Sequence, residues 1–178
     1  MRDFSTRKLT FAAVVAAAYA ALTMLLLPIS YGPLQFRLSE ALCILPFFFP
    51  FSAWGLFIGC VIANVLSAYG IIDVVFGSAA TLIAAAATAR IGMAQRDSTI
   101  RKALACAPPV ISNAIIVGAI IAYATTESWD AFLPAMLVNG LQVGFGELAV
   151  MYVIGLPLLV FLPKTEIYAK LSHEYSRS

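Results

Sequence analysis

Four ionisable residues interrupt long apolar stretches of the sequence: Arg37, Glu40, Asp73 and Glu147. Charged side chains are expensive inside a bilayer, so residues of this kind are candidates for a functional site. Glu147 is the hardest of them to explain as structure, because no basic residue occurs at a comparable depth in any apolar stretch. A buried carboxylate needs a cationic or N–H-bearing partner, or it takes up a proton.

Four amide side chains also fall within apolar stretches: Asn64, Asn113, Asn139 and Gln142. On an ideal helix Asn139, Gln142 and Glu147 lie within about 140° of arc, with Gly146 between them. A carboxylate and carboxamides on one wall suit a ligand rich in N–H donors, such as an amidine or a guanine-like edge. A glycine on that wall lets a flat ligand approach the backbone.

Purely structural roles are alternatives for several of these residues. Arg37 and Glu40 are three residues apart and share a helix face, so they could form an ion pair. Asp73 is close to the start of a predicted helix and could be a capping carboxylate there. Asn64 and Asn113 could join neighbouring helices by hydrogen bonds.

The sequence offers little for other chemistries. Its three cysteines, Cys43, Cys60 and Cys106, form no CxxC pair and are expected as small buried residues rather than disulfides or zinc ligands. The single histidine, His173, lies in the polar C-terminal tail, so no Ser-His or Cys-His pair is available in the apolar stretches. The chain has no GxxxxGK[ST] loop and cannot hydrolyse ATP by that machinery. We therefore expect neither an enzyme nor a bound cofactor.

The elements that position these residues are transmembrane helices. The chain has 178 residues, of which 62% are hydrophobic and 11% charged, with a mean hydropathy of +0.93. Soluble domains are about 45–50% apolar and about 25% charged, so this composition excludes a soluble globule and a disordered chain. The net charge of +2 gives no attraction to nucleic acid. The sequence predicts one all-α integral membrane domain over residues 1–178.

A membrane-spanning helix needs about 20 mostly apolar residues. By this criterion the sequence predicts six helices, over residues 9–27, 34–49, 51–69, 71–89, 103–124 and 134–162. The first follows a basic segment in the manner of a signal peptide, but its length and the later apolar stretches favour a retained helix.

The basic residues predict the orientation of this bundle. Ten of the eleven fall in three segments that six crossings place on one face: Arg2, Arg7, Lys8, Arg90, Arg96, Arg101, Lys102, Lys164, Lys170 and Arg177. The positive-inside rule makes that face, with both termini, cytoplasmic. The buried polar residues then fall mostly in the outer half, which is typical of a pocket open to the outside of the cell membrane.

Two rows of small residues run along the first predicted helix. One row is Ala12, Ala16 and Ala20, and the other is Ala13, Ala17 and Ala21. Such rows allow helices to approach closely in lipid, either within one bundle or between membrane subunits. An aromatic side chain, with Phe36, Trp54 and Tyr69 as candidates, could stack on a heterocyclic ligand.

Four blocks resemble the QueT family of queuosine-precursor transporters. They are residues 32–42 (GPLQFRLSEAL), 55–64 (GLFIGCVIAN), 73–78 (DVVFGS) with Thr81, and 144–147 (GFGE). The similarity runs in the expected order from Leu9 to Leu162. Members of this family are the substrate-binding subunits, or S components, of energy-coupling factor (ECF) importers.

The resemblance implies a six-helix S-component bundle that binds a 7-deazaguanine such as preQ1 or preQ0 near the outer face. It implies as partners a membrane coupling protein (T component), which the two alanine rows would contact, and two cytoplasmic ATPase subunits. Residue by residue it places substrate contact on Glu147 first, then on Asn139, Gln142, Arg37 and Asn113, with Glu40 and Asp73 as further candidates. An S component for another vitamin and a secondary transporter with Glu147 as proton carrier remain alternatives.

Overall fold

The computed structural model describes residues 6–31, 34–93 and 98–176, and within these ranges all regular structure is helical. The N-terminal half contains α1 (Thr6–Leu25), α2 (Leu27–Ser30), a 3-10 helix (Leu38–Phe47), α3 (Ser52–Asn64), a π-helical turn (Asp73–Gly77) and α4 (Ser78–Gly92). The C-terminal half contains α5 (Thr99–Ala105), α6 (Ala107–Thr125), α7 (Trp129–Ala149), a π-helical segment (Val150–Gly155), α8 (Leu156–Phe161), a 3-10 turn (Leu162–Lys164) and α9 (Glu166–Ser176).

Four helical segments are long and apolar enough to cross a membrane: Thr6–Leu25, Asp73–Gly92, Thr99–Thr125 and Trp129–Lys164. The second and third predicted crossings contain shorter helices, Leu38–Phe47 and Ser52–Asn64. With rises of about 2.0 Å per residue for a 3-10 helix and about 1.5 Å for an α-helix, each is about 20 Å long, less than the hydrocarbon thickness of about 30 Å. The structure is a helical membrane bundle, and six full crossings stay a prediction.

Small residues hold α1 against α3. A Cβ atom added at Gly55 would collide with the carbonyl oxygen of Ala12, and one at Gly59 would lie 2.6 Å from the carbonyl oxygen of Ala16. The two backbones therefore meet where α3 has no side chain. This contact places Tyr19 of α1 in the fully buried centre of the bundle.

Glycines likewise hold α6 against α7, which pack along most of their lengths as an antiparallel pair. A Cβ atom at Gly118 would lie 2.6 Å from the Cα atom of Gly140. The turn between the helices is fixed by Ser128, whose hydroxyl oxygen accepts a hydrogen bond from the backbone N–H of Ala131 and so caps α7.

The described parts of the three basic segments meet at one end of the bundle. Arg7 Nε lies 3.4 Å from a carboxylate oxygen of Glu174, so the first and last helices are adjacent. Arg101 donates to the carbonyl oxygen of Gly92 at 2.8 Å, and its guanidinium lies 5.2 Å from the ring centre of Phe47. Three of the basic residues behind the predicted orientation, Arg2, Arg96 and Arg177, lie outside the described residues.

Aromatic rings fill this end, which we call the aromatic end. It is defined by rings in mutual contact at centroid distances of 5.0–6.4 Å: Phe11, Phe48, Phe49, Phe51, Tyr168 and Tyr175. Two of these rings belong to α9, so the segment expected as a polar tail is a helix that packs one face on the bundle.

Candidate functional site

Glu147 is buried between α6 and α7. Only 3% of its surface is exposed, and Asn113 Nδ2 donates a hydrogen bond of 2.8 Å to its Oε1 atom. Its other carboxylate oxygen, Oε2, is buried without a hydrogen-bond partner. The π-helical segment Val150–Gly155 follows α7 directly, and such segments occur frequently at functional sites.

Gly146 accommodates the chain's own backbone rather than the ligand that the sequence suggested. A Cβ atom at this position would collide with the carbonyl oxygen of Leu34. The backbone of Leu34 and Gln35 therefore contacts α7 directly, and we call residues 34–37 the crossing segment. Its residue Gln35 is 4% exposed and has a φ angle of +44°, an unusual conformation for a non-glycine residue. Gly32 and Pro33, which begin the same sequence block, lie outside the described residues.

Glu40 is fully buried and accepts hydrogen bonds from three neighbours. Tyr19 Oη donates to Oε1 through a very short hydrogen bond, Thr81 Oγ1 donates to the same oxygen at 3.2 Å, and Cys43 Sγ lies 3.0 Å from Oε2. The donors belong to α1, α4 and the 3-10 helix, so one carboxylate ties three elements together.

Arg37 is 3% exposed and makes no ion pair with Glu40. Its Nη1 atom lies 3.9 Å from Cys60 Sγ, and its guanidinium lies 5.1 Å from the ring centre of Tyr31. The Nε and Nη2 atoms are buried without a hydrogen-bond partner. The ion-pair alternative from the sequence is therefore wrong, because the donors of Glu40 are neutral groups and Arg37 keeps unused N–H groups.

Asp73 lies at the start of the helix that follows the Asn64 end of α3. It is 1% exposed, and neither of its carboxylate oxygens has a hydrogen-bond partner. Asn64 Nδ2 donates to the backbone carbonyl oxygen of Asp73 at 3.0 Å, which fixes the two chain segments together. Asp73 lies in the first turn of the π-helical turn, as the capping alternative expects, but its carboxylate accepts no backbone N–H and so makes no capping hydrogen bond.

These residues form one electrostatic unit. Arg37 interacts electrostatically with Glu40, Asp73 and Glu147, and Glu147 also interacts with Glu40. We call this set, with its two amides, the polar cluster: Arg37, Glu40, Asn64, Asp73, Asn113 and Glu147. Its three carboxylates and one guanidinium are the buried charged side chains among the described residues.

The polar cluster holds both donors and acceptors that are not used by the protein. The unpartnered acceptors are Glu147 Oε2, both oxygens of Asp73 and Asn64 Oδ1, and the unpartnered donors are Arg37 Nε and Nη2. Buried polar atoms are normally hydrogen-bonded, so this set indicates a place where a small polar molecule would complete the bonding. No group of three His, Cys, Asp or Glu side chains suited to a metal occurs among the described residues.

A family model described as QueT transporter matches residues 9–164, which include the whole polar cluster. The chain belongs to the QueT transporter family. Together with four helices able to cross a membrane, family membership makes it a multi-pass membrane protein. The resemblance in the sequence is thereby confirmed, and a transporter family agrees with the expectation that the chain is not an enzyme.

One curated relative is named queuosine precursor transporter QueT, from Lactococcus lactis subsp. cremoris (strain MG1363). The two sequences are 42% identical over 85 residues, which are 47% of this chain and 50% of the relative. The alignment thus spans about half the length of that protein. No solved structure matches the chain.

Two predicted substrate contacts of this QueT-family chain lie outside the polar cluster. Asn139 and Gln142 are half-buried on α7, eight and five residues before Glu147. At about 1.5 Å per residue they are about 12 and 7.5 Å from Glu147 along the helix axis. The hydrogen bond to Glu147 comes from Asn113 and from neither of these amides, and their contact with substrate stays a prediction.

The aromatic candidates are distributed unevenly around the cluster. Phe36 belongs to the crossing segment, and Tyr69 packs against a buried cluster of Val117, Ile121 and Val143. Trp54 is 52% exposed near the start of α3, at the opposite end from Asn64. Tyr31, which the sequence reading did not single out, is the ring that contacts Arg37.

The sequence did not single out Tyr19, and it predicted the cysteines only as small buried residues. Tyr19 is a hydroxyl-bearing residue amid alanines, and that isolated polarity was the available signal. Cys43 contacts Glu40, and Cys60 Sγ lies 3.4 Å from Asn64 Nδ2 and 3.3 Å from Thr81 Oγ1. All three cysteines are free and buried, but two of them contact polar groups rather than only filling space.

The structure gives the two alanine rows of α1 different environments. The row of Ala12, Ala16 and Ala20 is 5–7% exposed because it faces α3, so it serves packing within the bundle. The second row is exposed: Ala13, Ala17 and Ala21. An apolar groove of about 560 Å³ runs between α1 and α3 and is lined by Ala13, Ala17, Trp54, Ile58 and Ile62 with part of the first row.

Proposed function

We propose that the chain is the substrate-binding S component of an ECF-type importer and captures a queuosine precursor, a 7-deazaguanine such as preQ1 or preQ0, from outside the cell. The observation that carries the proposal is the polar cluster, a buried set of unused donors and acceptors inside a QueT-family membrane bundle. The name of the Lactococcus lactis relative supports the substrate class.

In this proposal Glu147 accepts paired hydrogen bonds from the ring N–H and exocyclic amine of the base. Its Oε2 atom is free for this role, and Asn113 fixes Oε1. The unused N–H groups of Arg37 suit the carbonyl oxygen of the same base. Hydrogen bonds to a charged group contribute about 1.5–3 kcal/mol each.

The ligand reaches the polar cluster only if the crossing segment moves. The segment touches Gly146, and its Arg37 is almost completely buried. The strained φ angle of Gln35 lowers the cost of leaving this conformation. Asn139 and Gln142 precede Gly146 on α7, and in this proposal they contact the ligand as it enters.

The proposed partners are a membrane coupling protein and two cytoplasmic ATPase subunits, which supply the energy for uptake. The exposed row Ala13, Ala17 and Ala21 supports docking of the coupling protein, because small residues let a second helix approach closely. The groove beside this row is apolar and suits a helix in lipid. In this arrangement the basic segments and both termini face the cytoplasm, and the polar cluster opens towards the outside.

The proposal is tested by calorimetric titration of the purified protein with the two deazaguanines. We expect Glu147→Gln to weaken binding at least about tenfold, since one charge-assisted pair is lost. Glu127→Gln, an exposed carboxylate in the turn before α7, is the matched control and should leave affinity unchanged.

Two other outcomes would contradict the proposal. If no deazaguanine binds and a thermal-shift screen identifies another vitamin, the chain is an S component with a different ligand. If proteoliposomes that contain this chain alone take up substrate under a pH gradient, Glu147 is a proton carrier in a secondary transporter. Mass spectrometry of the small molecule that co-purifies would distinguish the ligands directly.

A further inference from the structure

The charges of the polar cluster do not balance. Three buried carboxylates, Glu40, Asp73 and Glu147, share a single guanidinium, that of Arg37. Uncompensated charge in an apolar interior costs several kcal/mol per ion. A molecule that binds here with a positive charge would reduce this cost more than a neutral molecule would, because it adds charge compensation to hydrogen bonding.

The three carboxylates differ in how far the protein already satisfies them. Glu40 has three hydrogen-bond donors and Glu147 has one. Asp73 has none for either oxygen, although it is 1% exposed. Its side chain packs closely against Gly77, where a Cβ atom would collide with Oδ1, so the carboxylate is held in place without being hydrogen-bonded.

We infer that the ligand of this site is a cation and that Asp73 accepts its ammonium group, which makes Asp73 a specificity-determining residue. The inference rests on the proposed function and narrows it to one of the two deazaguanines. preQ1 bears an aminomethyl group, which is protonated at pH 7 like other primary amines. preQ0 bears a neutral nitrile at the same ring position. The two share the ring edge that Glu147 would bind, so they differ only at the group assigned to Asp73.

Calorimetric affinities for preQ1, preQ0 and the neutral 7-hydroxymethyl analogue test this inference on the purified full chain. We expect preQ1 to bind at least about tenfold more tightly than either neutral ligand, the lower bound for one charge-assisted hydrogen bond. The hydroxymethyl compound is close to the aminomethyl group in size and can still donate one hydrogen bond, so the comparison reports mainly on the effect of charge.

Substitutions then assign the charge to a residue. Asp73→Asn should weaken preQ1 about tenfold and reduce its advantage over the neutral ligands, and Asp73→Glu should keep most of that advantage. Glu147→Gln should weaken all three ligands by similar factors, because it contacts the ring edge that they share. Size-exclusion profiles and helical circular dichroism check that each variant is folded.

Each failure has a distinct meaning. Equal affinity of the wild-type protein for the three ligands would overturn the inference and leave the proposed function standing, since protons would then neutralise the carboxylates. An unchanged preference in Asp73→Asn would overturn the assignment to Asp73. Binding of none of the three by the wild-type protein would overturn the proposed function itself.

Discussion

The polar cluster and the aromatic end contrast in how they treat polar groups. At the aromatic end, rings fill the space between helices, and charged groups such as Arg7 and Glu174 pair near the surface. In the polar cluster, carboxylates and a guanidinium are buried. Six side-chain N and O atoms of the cluster, including one of Asn64, have no hydrogen-bond partner. The first arrangement stabilises a bundle, whereas the second leaves buried groups unsatisfied at a cost in stability, and it is where we propose that the ligand binds.

Removing the buried cation should give the largest difference between the two regions. Arg37→Leu leaves three buried carboxylates without a counter-charge, and we expect it to lower the free energy of unfolding by about 3 kcal/mol or more. Arg101→Leu, which removes the bond to Gly92 near the aromatic end, should cost about 1 kcal/mol. Thermal unfolding in detergent measures both.

A double variant sharpens this comparison. If charge imbalance is the cause, Asp73→Asn in the Arg37→Leu background should recover part of the lost stability. Equal losses in Arg37→Leu and Arg101→Leu, with no recovery, would mean that packing rather than charge determines the result.

Filling the contact between Gly146 and the crossing segment should have the next largest effect. Gly146→Ala places a Cβ atom against the Leu34 carbonyl oxygen, and forcing extra atoms into such a contact costs about 1–3 kcal/mol. Gly144→Ala on the same helix meets only the Cβ atom of Ala114 at 3.2 Å and should cost less.

Hydrogen exchange reports where this strain is relieved. We expect faster exchange in residues 34–37 of Gly146→Ala and wild-type rates in Gly144→Ala. Unaltered exchange of the crossing segment in both variants would contradict the close contact that the structure describes.

Removing one hydroxyl from each region gives a smaller contrast. Tyr19→Phe deletes a donor to the fully buried Glu40 and should cost about 1–3 kcal/mol. Tyr175→Phe deletes a solvent-exposed hydrogen bond of 3.2 Å to the Arg7 carbonyl oxygen and should change stability by no more than about 0.5 kcal/mol. Parallel denaturation curves of the two variants test the difference, and a larger loss in Tyr175→Phe would reverse it.

The smallest effect concerns titration at the aromatic end. Partial burial, with a further contribution from Glu174, raises the pKa of Tyr175 above its ordinary value near 10. The folded chain therefore holds this proton more tightly than the unfolded chain, and the contribution to stability is present below about pH 10 and is lost as the pH rises further. An absorbance titration of wild type against Tyr175→Phe measures the shift, and a difference curve centred at or below pH 10 would refute it.

Local sequence determined the class of this protein and the identity of its unusual residues. Hydropathy alone predicted a helical membrane bundle, because an apolar stretch of about 20 residues has few other stable arrangements in a chain of this composition. The cost of burying charge singled out Arg37, Glu40, Asp73 and Glu147, and all four are buried. The four sequence blocks that resemble the QueT family contain these same four residues.

Tertiary structure decided which of these groups meet and which remain unsatisfied. Helical spacing suggested that Arg37 pairs with Glu40 and that Gln142 works with Glu147, since only residues on one helix can be related by sequence periodicity. The donors to Glu40 instead come from Tyr19 and Thr81, 21 and 41 residues away. Contacts at such separations depend on how helices pack. A glycine in the sequence shows that another backbone could approach closely, but it does not show which part of the chain that backbone belongs to.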